Sequence, residues 1–321
     1  MFSQDNDPFA RLISYSPGLE SLIRTARIAA AADICVLIDG ETGTGKELLA
    51  QAIHAASPRH NEKIIAVNCA ALSDTVIESQ LFGHIEGAFT GATSDTTGYI
   101  ETADKGCLFL DEIGELSPKG QAALLRFLET GECQKLGSNE SRTFDVRIIA
   151  ATHRNLQQMT DAGEFRQDLF YRLNVVNLRL PPLRERRRDI PLLFEHFLLQ
   201  YSATRNCPVP DADKAAIKRL MQHDWPGNVR ELRNLCSRLV TMHDNPVITE
   251  EIISNELVTD SVTSHNDAFD LPPGGIDLEQ LEIKLIQQAL KRTRGNKSKA
   301  ARLLGISRDA FLYRLKKHNL T

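Results

Sequence analysis

No unbroken hydrophobic run in this 321-residue chain approaches the ~18 residues that a membrane-spanning helix requires. The most apolar stretch, residues 28–38, is alanine-rich and is broken by Asp33. The N-terminus has no basic flank and no apolar signal core, and carries Asp5 and Asp7 instead, so it does not read as a secretory leader and the cytosol is the expected compartment. There is no C-x-x-C pair and no histidine at ligand spacing from a cysteine. Cys35, Cys69, Cys107, Cys133, Cys207 and Cys236 stand far apart, which excludes a zinc knuckle or disulfide framework and leaves small buried hydrophobes as their reading. No internal repeat or low-complexity tract is present. What remains is ordinary globular material, with 42% hydrophobic residues and 25% charged, at a length of about two domains.

Charge is unevenly placed. The net charge of the chain is -4, yet residues 277–321 hold eleven Lys and Arg against four acids, a local +7. A basic tail on an acidic body fits a polyanion bound at one end only.

Residues 255–276 are rich in Ser, Thr, Asp and Asn and contain a Pro-Pro-Gly-Gly step, so they read as a linker. Before them, apolar runs at 35–39, 64–68, 107–111, 146–152 and 175–180 alternate with helical patterns at 19–32, 46–56, 117–129 and 165–173. That alternation predicts βα units around a mostly parallel sheet. Beyond Pro191 the pattern is helical only, at 192–201, 213–223, 229–243 and 250–257, as in a lid of four helices.

After the first predicted strand comes Gly40-Glu41-Thr42-Gly43-Thr44-Gly45-Lys46 and then a helix. This is a phosphate-binding loop in its strand-loop-helix context: glycines let successive N–H groups turn toward a phosphate, and the helix start and Lys46 add positive charge. The next position is Glu47 where a magnesium-binding hydroxyl is usual, so the metal must lean on another carboxylate. Asp111 and Glu112 supply one at the end of an apolar strand. Asp111 is placed to hold Mg²⁺ through water, and Glu112 to polarise the water attacking the γ-phosphate of ATP.

The chain resembles the bacterial enhancer-binding proteins, AAA+ ATPases that activate sigma-54 RNA polymerase. The resemblance rests on Glu86-Gly87-Ala88-Phe89-Thr90-Gly91-Ala92, which contains the GAFTGA loop, and on IIAVNCAAL (64–72), FRQDLFYRL (165–173), LPPLRER (180–186) and WPGNVREL (225–232). It implies an α/β AAA+ P-loop ATPase with a parallel sheet and a helical lid, followed by a small all-α helix-turn-helix domain. The corresponding divisions are 1–15 (extension), 16–186 (α/β), 187–254 (lid), 255–276 (linker) and 277–321 (DNA-binding). It also implies that Asn68 holds Glu112 in an inactive pose until nucleotide arrives. Thr152 and His153 take the sensor positions, the second usually asparagine. Arg166 and Arg172 reach into a neighbouring subunit's site, and Arg230 contacts nucleotide within its own chain. Asn228 and Glu231 read as a capping pair that sets Arg230 in the first turn of a helix. The run Gly87, Ala88, Phe89, Thr90, Gly91 and Ala92 contacts sigma-54. For Phe89 the residues alone leave two placements open: tucked into the local core, or raised toward a partner.

At the C-terminal end, 278–292 is an amphipathic helix, and 297–304 and 307–317 are short helices joined tightly at Gly305-Ile306. This is a helix-turn-helix similar to the Fis type. Ser307 caps the second helix, and Phe311 and Leu315 face the core. Arg308, Ala310, Leu312 and Tyr313 are left for a DNA groove, with Arg314, Lys316 and Lys317 for phosphates.

The function this implies is an ATP-driven activator that binds upstream double-stranded DNA, passes from a resting dimer to a ring, by resemblance a hexamer, and remodels the closed sigma-54 polymerase complex. A passive repressor on the same scaffold is the main rival, though it has no need of a GAFTGA loop. An unfoldase or clamp-loader-like enzyme would leave the basic tail unexplained. With about fifteen residues ahead of the ATPase unit, control is expected from a trans-acting inhibitory protein or from the level of synthesis.

Overall fold

The computed structural model describes residues 7–70, 74–242, 246–264, 278–293 and 296–318, and the chain divides into two compact units, 1–258 and 259–321. In the first unit, β1 (Val36–Asp39), β2 (Ile64–Asn68) and β3 (Cys107–Asp111) precede a hairpin of β4 (Glu132–Gln134) and β5 (Ser141–Thr143). Next come β6 (Arg147–Thr152) and β7 (Val176–Arg179). The central sheet runs β2-β3-β6-β1-β7 with every pairing parallel, and each of its strands lies within a residue of its predicted bounds. A parallel sheet must be covered on both faces, which is why VLID, CLFLD and RIIAAT read as continuous apolar runs rather than alternating ones.

Helices α1 (Pro17–Ala31) and α2 (Lys46–Ala55) cover one face, packing Leu19, Leu49 and Ile53 against Val36, Ile38, Phe109 and Ile149. The other face is covered by α3 (Asp74–Phe82), α4 (Tyr99–Thr102), α5 (Pro118–Thr130), α6 (Leu156–Asp161) and α7 (Gln167–Leu173), with Ile77, Leu81, Leu124 and Leu169 on Leu108, Leu110 and Ile148. Full burial of each such aliphatic side chain contributes about 1.5–3 kcal/mol. Sequence periodicity missed α3, α4, α6 and the hairpin, because helices of four to nine residues and strands of three are too short to display their repeats. Ser117 caps α5, accepting from the Gly120 amide at 3.1 Å. Arg147 at the start of β6 is buried and donates to the carbonyls of Ala29, Ala30 and Ile34, tying the end of α1 to the sheet.

Strand register lines up the chemistry. Asn68 pairs with Asp111 and Asp39 with Thr152, so the C-terminal strand ends present their polar residues along one edge.

The lid comprises α8 (Asp189–Arg205), α9 (Lys214–Gln222), α10 (Asn228–Met242) and α11 (Glu250–Ser264), with β8 (Asp211–Ala212) paired to β9 (Val247–Ile248). Its core is Phe194, Trp225, Leu232, Leu235, Leu239 and Ile253. Helix α8 starts three residues before its predicted start at 192, because Pro191 is tolerated in a first turn whose N–H groups have no intrahelical acceptor. Helix α11 runs on to Ser264, into the expected linker, since no Gly or Pro interrupts 250–264. The remainder of that linker, 265–276, lies outside the described residues.

In the second unit α12 (Leu278–Arg292), α13 (Lys297–Leu303) and α14 (Arg308–Lys317) enclose Ile286, Ala289, Ala300, Ala301, Phe311 and Leu315. Gly305, at φ +67°, makes the left-handed turn between α13 and α14.

All six cysteines are free, four buried and two half-buried, and burial pushes the Cys69 thiol up to about 12 and that of Cys107 to about 11. Among the described residues no helix is long and apolar enough to cross a membrane.

Candidate active site

Between β1 and α2 the chain turns through Gly40, Glu41, Thr42, Gly43, Thr44 and Gly45, and Lys46 opens the helix. Gly43 and Gly45 stand at φ +81° and +108°, where an L side chain is strained. At Gly45 the space a Cβ would occupy is open, whereas at Gly43 it would lie 2.3 Å from the Gly227 carbonyl. The buried Lys46 Nζ donates to the Gly40 carbonyl at 2.9 Å and lies 3.4 Å from Glu112 Oε1. A cleft of about 210 Å³ opens beside this loop, bordered by Lys46, Asp111, Glu112, Arg230 and Arg233, with Glu47 also on its wall. Burial, followed by the charge of Glu112, pushes the Asp111 carboxyl above the usual carboxylate range. This set fits a metal-bound nucleoside triphosphate: an open glycine cradle, one lysine and two arginines for phosphates, and a carboxylate pair for a divalent ion. Among the described residues no group of three or more His, Cys, Asp and Glu forms a metal cage, so Asp111 would share such an ion with water and phosphate oxygens.

Glu112 sits in left-handed backbone at φ +54°, which swings its carboxylate back over the strand ends. Oε2 accepts from the His153 amide at 3.1 Å and meets His153 Nδ1 at 2.6 Å. Burial raises its carboxyl, but the His153 hydrogen bond and the Lys46 charge outweigh this and hold it below the usual range. Here the structure departs from expectation. Asn68 does not hold Glu112: its Oδ1 accepts from the Ala70 amide at 2.8 Å, a local turn, and the holder is His153. The buried Thr152 hydroxyl accepts from the Arg154 amide, which fixes the turn that carries His153.

Arg166 and Arg172 are both exposed and held by their own chain. Arg166 forks onto Asp168 at 3.0 and 2.7 Å, and Arg172 donates twice to the Leu128 carbonyl. Neither borders the cleft, whereas Arg230 does. The expected Asn228–Glu231 cap is half-formed. Glu231 accepts from the Gly227 amide at 2.8 Å, but the buried Asn228 side chain turns instead to Leu183, Glu41 and Thr42.

The segment 86–92 forms a compact turn in which Gly87 donates to Ala92 and Ala92 to Phe89. Gly87 and Gly91 have positive φ with open space around them. Phe89 is half-buried, its ring meeting His84 edge-on at 5.0 Å, which realises the tucked placement in part. Thr90 is exposed and Ala92 buried, while Ala88 backs onto Gly137, where a Cβ would approach its own to 2.8 Å. His84 is anchored by Ser79 at 2.7 Å and by backbone bonds with Thr96, so the base of the turn is fixed and its tip is free.

In the second unit Ser307 caps α14 through the Ala310 amide at 3.2 Å, and Arg308, Tyr313, Lys316 and Lys317 are exposed. Two of the expected DNA contacts are placed otherwise. Leu312 packs partly against the core, because three apolar residues at 311, 312 and 315 cannot all avoid it, and Arg314 is bonded to Glu282 on α12.

Composition and spacing gave no signal for Arg184 and Arg186. Arg184 clasps Glu41 with both guanidinium nitrogens, and the buried Arg186 donates to the Thr44 carbonyl at 3.0 Å. These pairings span more than 140 residues of sequence, so only the folded chain brings them together.

Residues 12–179 match the Sigma-54 interaction domain, 184–268 the AAA+ ATPase lid domain, and 277–318 the Fis family of bacterial regulatory proteins. The chain is 44% identical over 304 residues to the transcriptional regulatory protein ZraR of Salmonella typhi, covering 95% of this chain and 68% of that protein. To the transcriptional regulatory protein GlrR of Escherichia coli it is 45% identical over 310 residues, covering 96% and 68%. Among solved structures, NtrX from Brucella abortus in complex with ATP superposes with a TM-score of 0.72 at 32% identity, over 95% of this chain and 68% of that one.

Proposed function

The chain belongs to the sigma-54-dependent transcriptional regulators, and from that premise we propose that it is an ATPase motor that activates transcription. The observation that carries this reading is the convergence of Lys46, Asp111 and Glu112 on one cleft, in a chain that also presents the turn 86–92 and a basic helix-turn-helix. Lys46 and the N–H groups of the glycine loop bind the β- and γ-phosphates of ATP, and Asp111 holds Mg²⁺ through water. An ion held there would supply charge neutralisation for the phosphates. Glu112 receives the proton of the attacking water, His153 orients that carboxylate, and Thr152 and His153 together take the sensor position.

Arg166 and Arg172 leave Asp168 and Leu128 on assembly and reach the γ-phosphate of a neighbouring subunit, so turnover belongs to a ring, by family analogy a hexamer. A guanidinium fork supplied only by a neighbour makes hydrolysis conditional on assembly. The turn 86–92 detaches Phe89 from His84 and meets sigma-54, with Thr90 as its polar contact. The helix-turn-helix places Arg308, Ala310 and Tyr313 toward bases and Lys316 and Lys317 toward phosphates of upstream DNA.

The test is open-complex formation on a sigma-54 promoter, with the protein, upstream DNA and ATP. ATP-dependent opening is expected. DNA binding with no ATP-dependent opening would instead establish the passive repressor.

A further inference from the structure

Three consecutive carbonyls of the glycine loop are taken by donors from the lid and the segment leading into it. The Thr42 carbonyl accepts from Asn228 Nδ2 at 3.1 Å, that of Gly43 from the Arg230 amide at 3.3 Å, and that of Thr44 from Arg186 Nη2 at 3.0 Å. In a trans peptide the N–H lies opposite the carbonyl of its own plane. Pinning the Thr42 and Thr44 carbonyls to Asn228 and Arg186 therefore turns the Gly43 and Gly45 N–H groups away from those two donors and leaves them for an anion.

Asn228 is central to this arrangement. It is wholly buried, in left-handed backbone at φ +51°, and its side chain makes three bonds: Oδ1 accepts from the Leu183 amide at 2.8 Å, and Nδ2 donates to Thr42 and to Glu41 Oε2, both at 3.1 Å. Glu41 is held from its other side by Arg184, whose two nitrogens lie 2.8 and 2.5 Å from its oxygens. The missing Cβ of Gly43 lets the loop rest on the Gly227 carbonyl.

We infer that Asn228 is a positioning residue for nucleotide binding: with Arg184 it braces the phosphate loop through Glu41 and Thr42, so that the loop takes its phosphate-receptive shape only when the lid is seated on it. This rests on the ATPase reading above and deepens it, by making affinity for ATP a property of the contact between loop and lid rather than of the loop alone.

The experiment measures binding of a fluorescent N-methylanthraniloyl ATP, and KM and kcat for ATP, in the full chain and in variants. Asn228→Asp keeps the shape, the tolerance of left-handed backbone and the acceptor for Leu183, but it loses the donor and sets a second carboxylate beside Glu41. Binding is expected to weaken about tenfold and KM to rise about as much, with kcat at saturating ATP within about threefold of wild type. Combining it with Glu41→Gln returns a donor from the other partner and is expected to recover about threefold of that binding. Arg184→Ala, at an exposed position, is expected to weaken binding about threefold, with Arg184→Lys intermediate. The inference is overturned if Asn228→Asp binds within about twofold of wild type, if it lowers kcat at unchanged KM, or if the double variant binds no better than Asn228→Asp. Should Asn228→Asp not fold, wild-type binding by Arg184→Ala overturns it. A wild-type chain that binds no ATP overturns the ATPase reading itself, whereas equal binding by wild type and both variants removes only the brace.

Discussion

The carboxylate of Glu112 and the imidazole of His153 meet at 2.6 Å, and the backbone amide of His153 donates to the same oxygen. One end of β6 thus holds the candidate base at the end of β3, two strands that lie side by side in the sheet. Lys46 approaches the other oxygen of that carboxylate at 3.4 Å, so a phosphate bound at Lys46 would compete with Glu112 for the same lysine.

Three substitutions separate these roles. Lys46→Ala should abolish ATP binding, and Glu112→Gln should bind ATP but lose about 10²–10⁴-fold in kcat, the usual worth of a positioned base. His153→Ala should lower kcat about tenfold with KM within about twofold, because it disorders the base without touching the phosphate cradle. Steady-state kinetics beside nucleotide binding checks all three, and wild-type turnover by Glu112→Gln would remove it as the base.

Arg172 is parked on Leu128 of its own helix layer, outside the cleft. If it acts in a neighbour's site, turnover per subunit should rise with protein concentration as assembly proceeds. Mixing Arg172→Ala chains with Asp111→Ala chains should restore activity that neither has alone, since some junctions then hold an intact acid and an intact arginine. No recovery at any mixing ratio would place the arginine within its own site.

Thr90 is exposed at the tip of a turn whose base His84 and Ser79 secure. Thr90→Ala should hydrolyse ATP at close to the wild-type rate and bind upstream DNA, yet fail to capture sigma-54 in the presence of a transition-state analogue. Normal activation by this variant, or parallel loss of ATPase, would show that the turn does not couple the two.

Glu41 gives a prediction in pH. The hydrogen bond from Arg184 holds its carboxyl down to about 2, against an ordinary value near 4.5. A carboxyl depressed in the folded state stabilises the fold fully above its unfolded value and loses that contribution as pH falls through the folded one. The stability difference between wild type and Glu41→Gln should therefore be constant above about pH 5 and shrink from pH 4.5 toward 2. Urea unfolding at a series of pH values checks this. A difference that grows with acid would mean that the pair does not form.

Much of the first unit was legible along the chain, because its information is local. Apolar runs at 107–111 and 147–152 have no polar side to place, so they report a doubly covered strand wherever they lie. The glycine loop declares itself because a phosphate cradle needs small residues in a row before a helix, and Ser307 and Gly305 mark a cap and a turn within a few residues of each other. The sequence by itself thus determined the parallel sheet, the nucleotide loop, the carboxylate pair and the three-helix end.

Only the tertiary structure decided which side chain serves which neighbour. Asn68 and His153 are both polar residues at the C-terminal ends of strands, and nothing in spacing distinguishes the one that reaches Glu112. The left-handed turn at Glu112 settles it, by aiming the carboxylate across β3 toward the end of β6. Asn228 reads as a helix cap because its identity fits one, yet burial leaves its amide no water, and an amide so placed must bond whatever polar groups the fold brings to it. Those groups, at Glu41, Thr42 and Leu183, come from distant parts of the chain, and no local rule connects them.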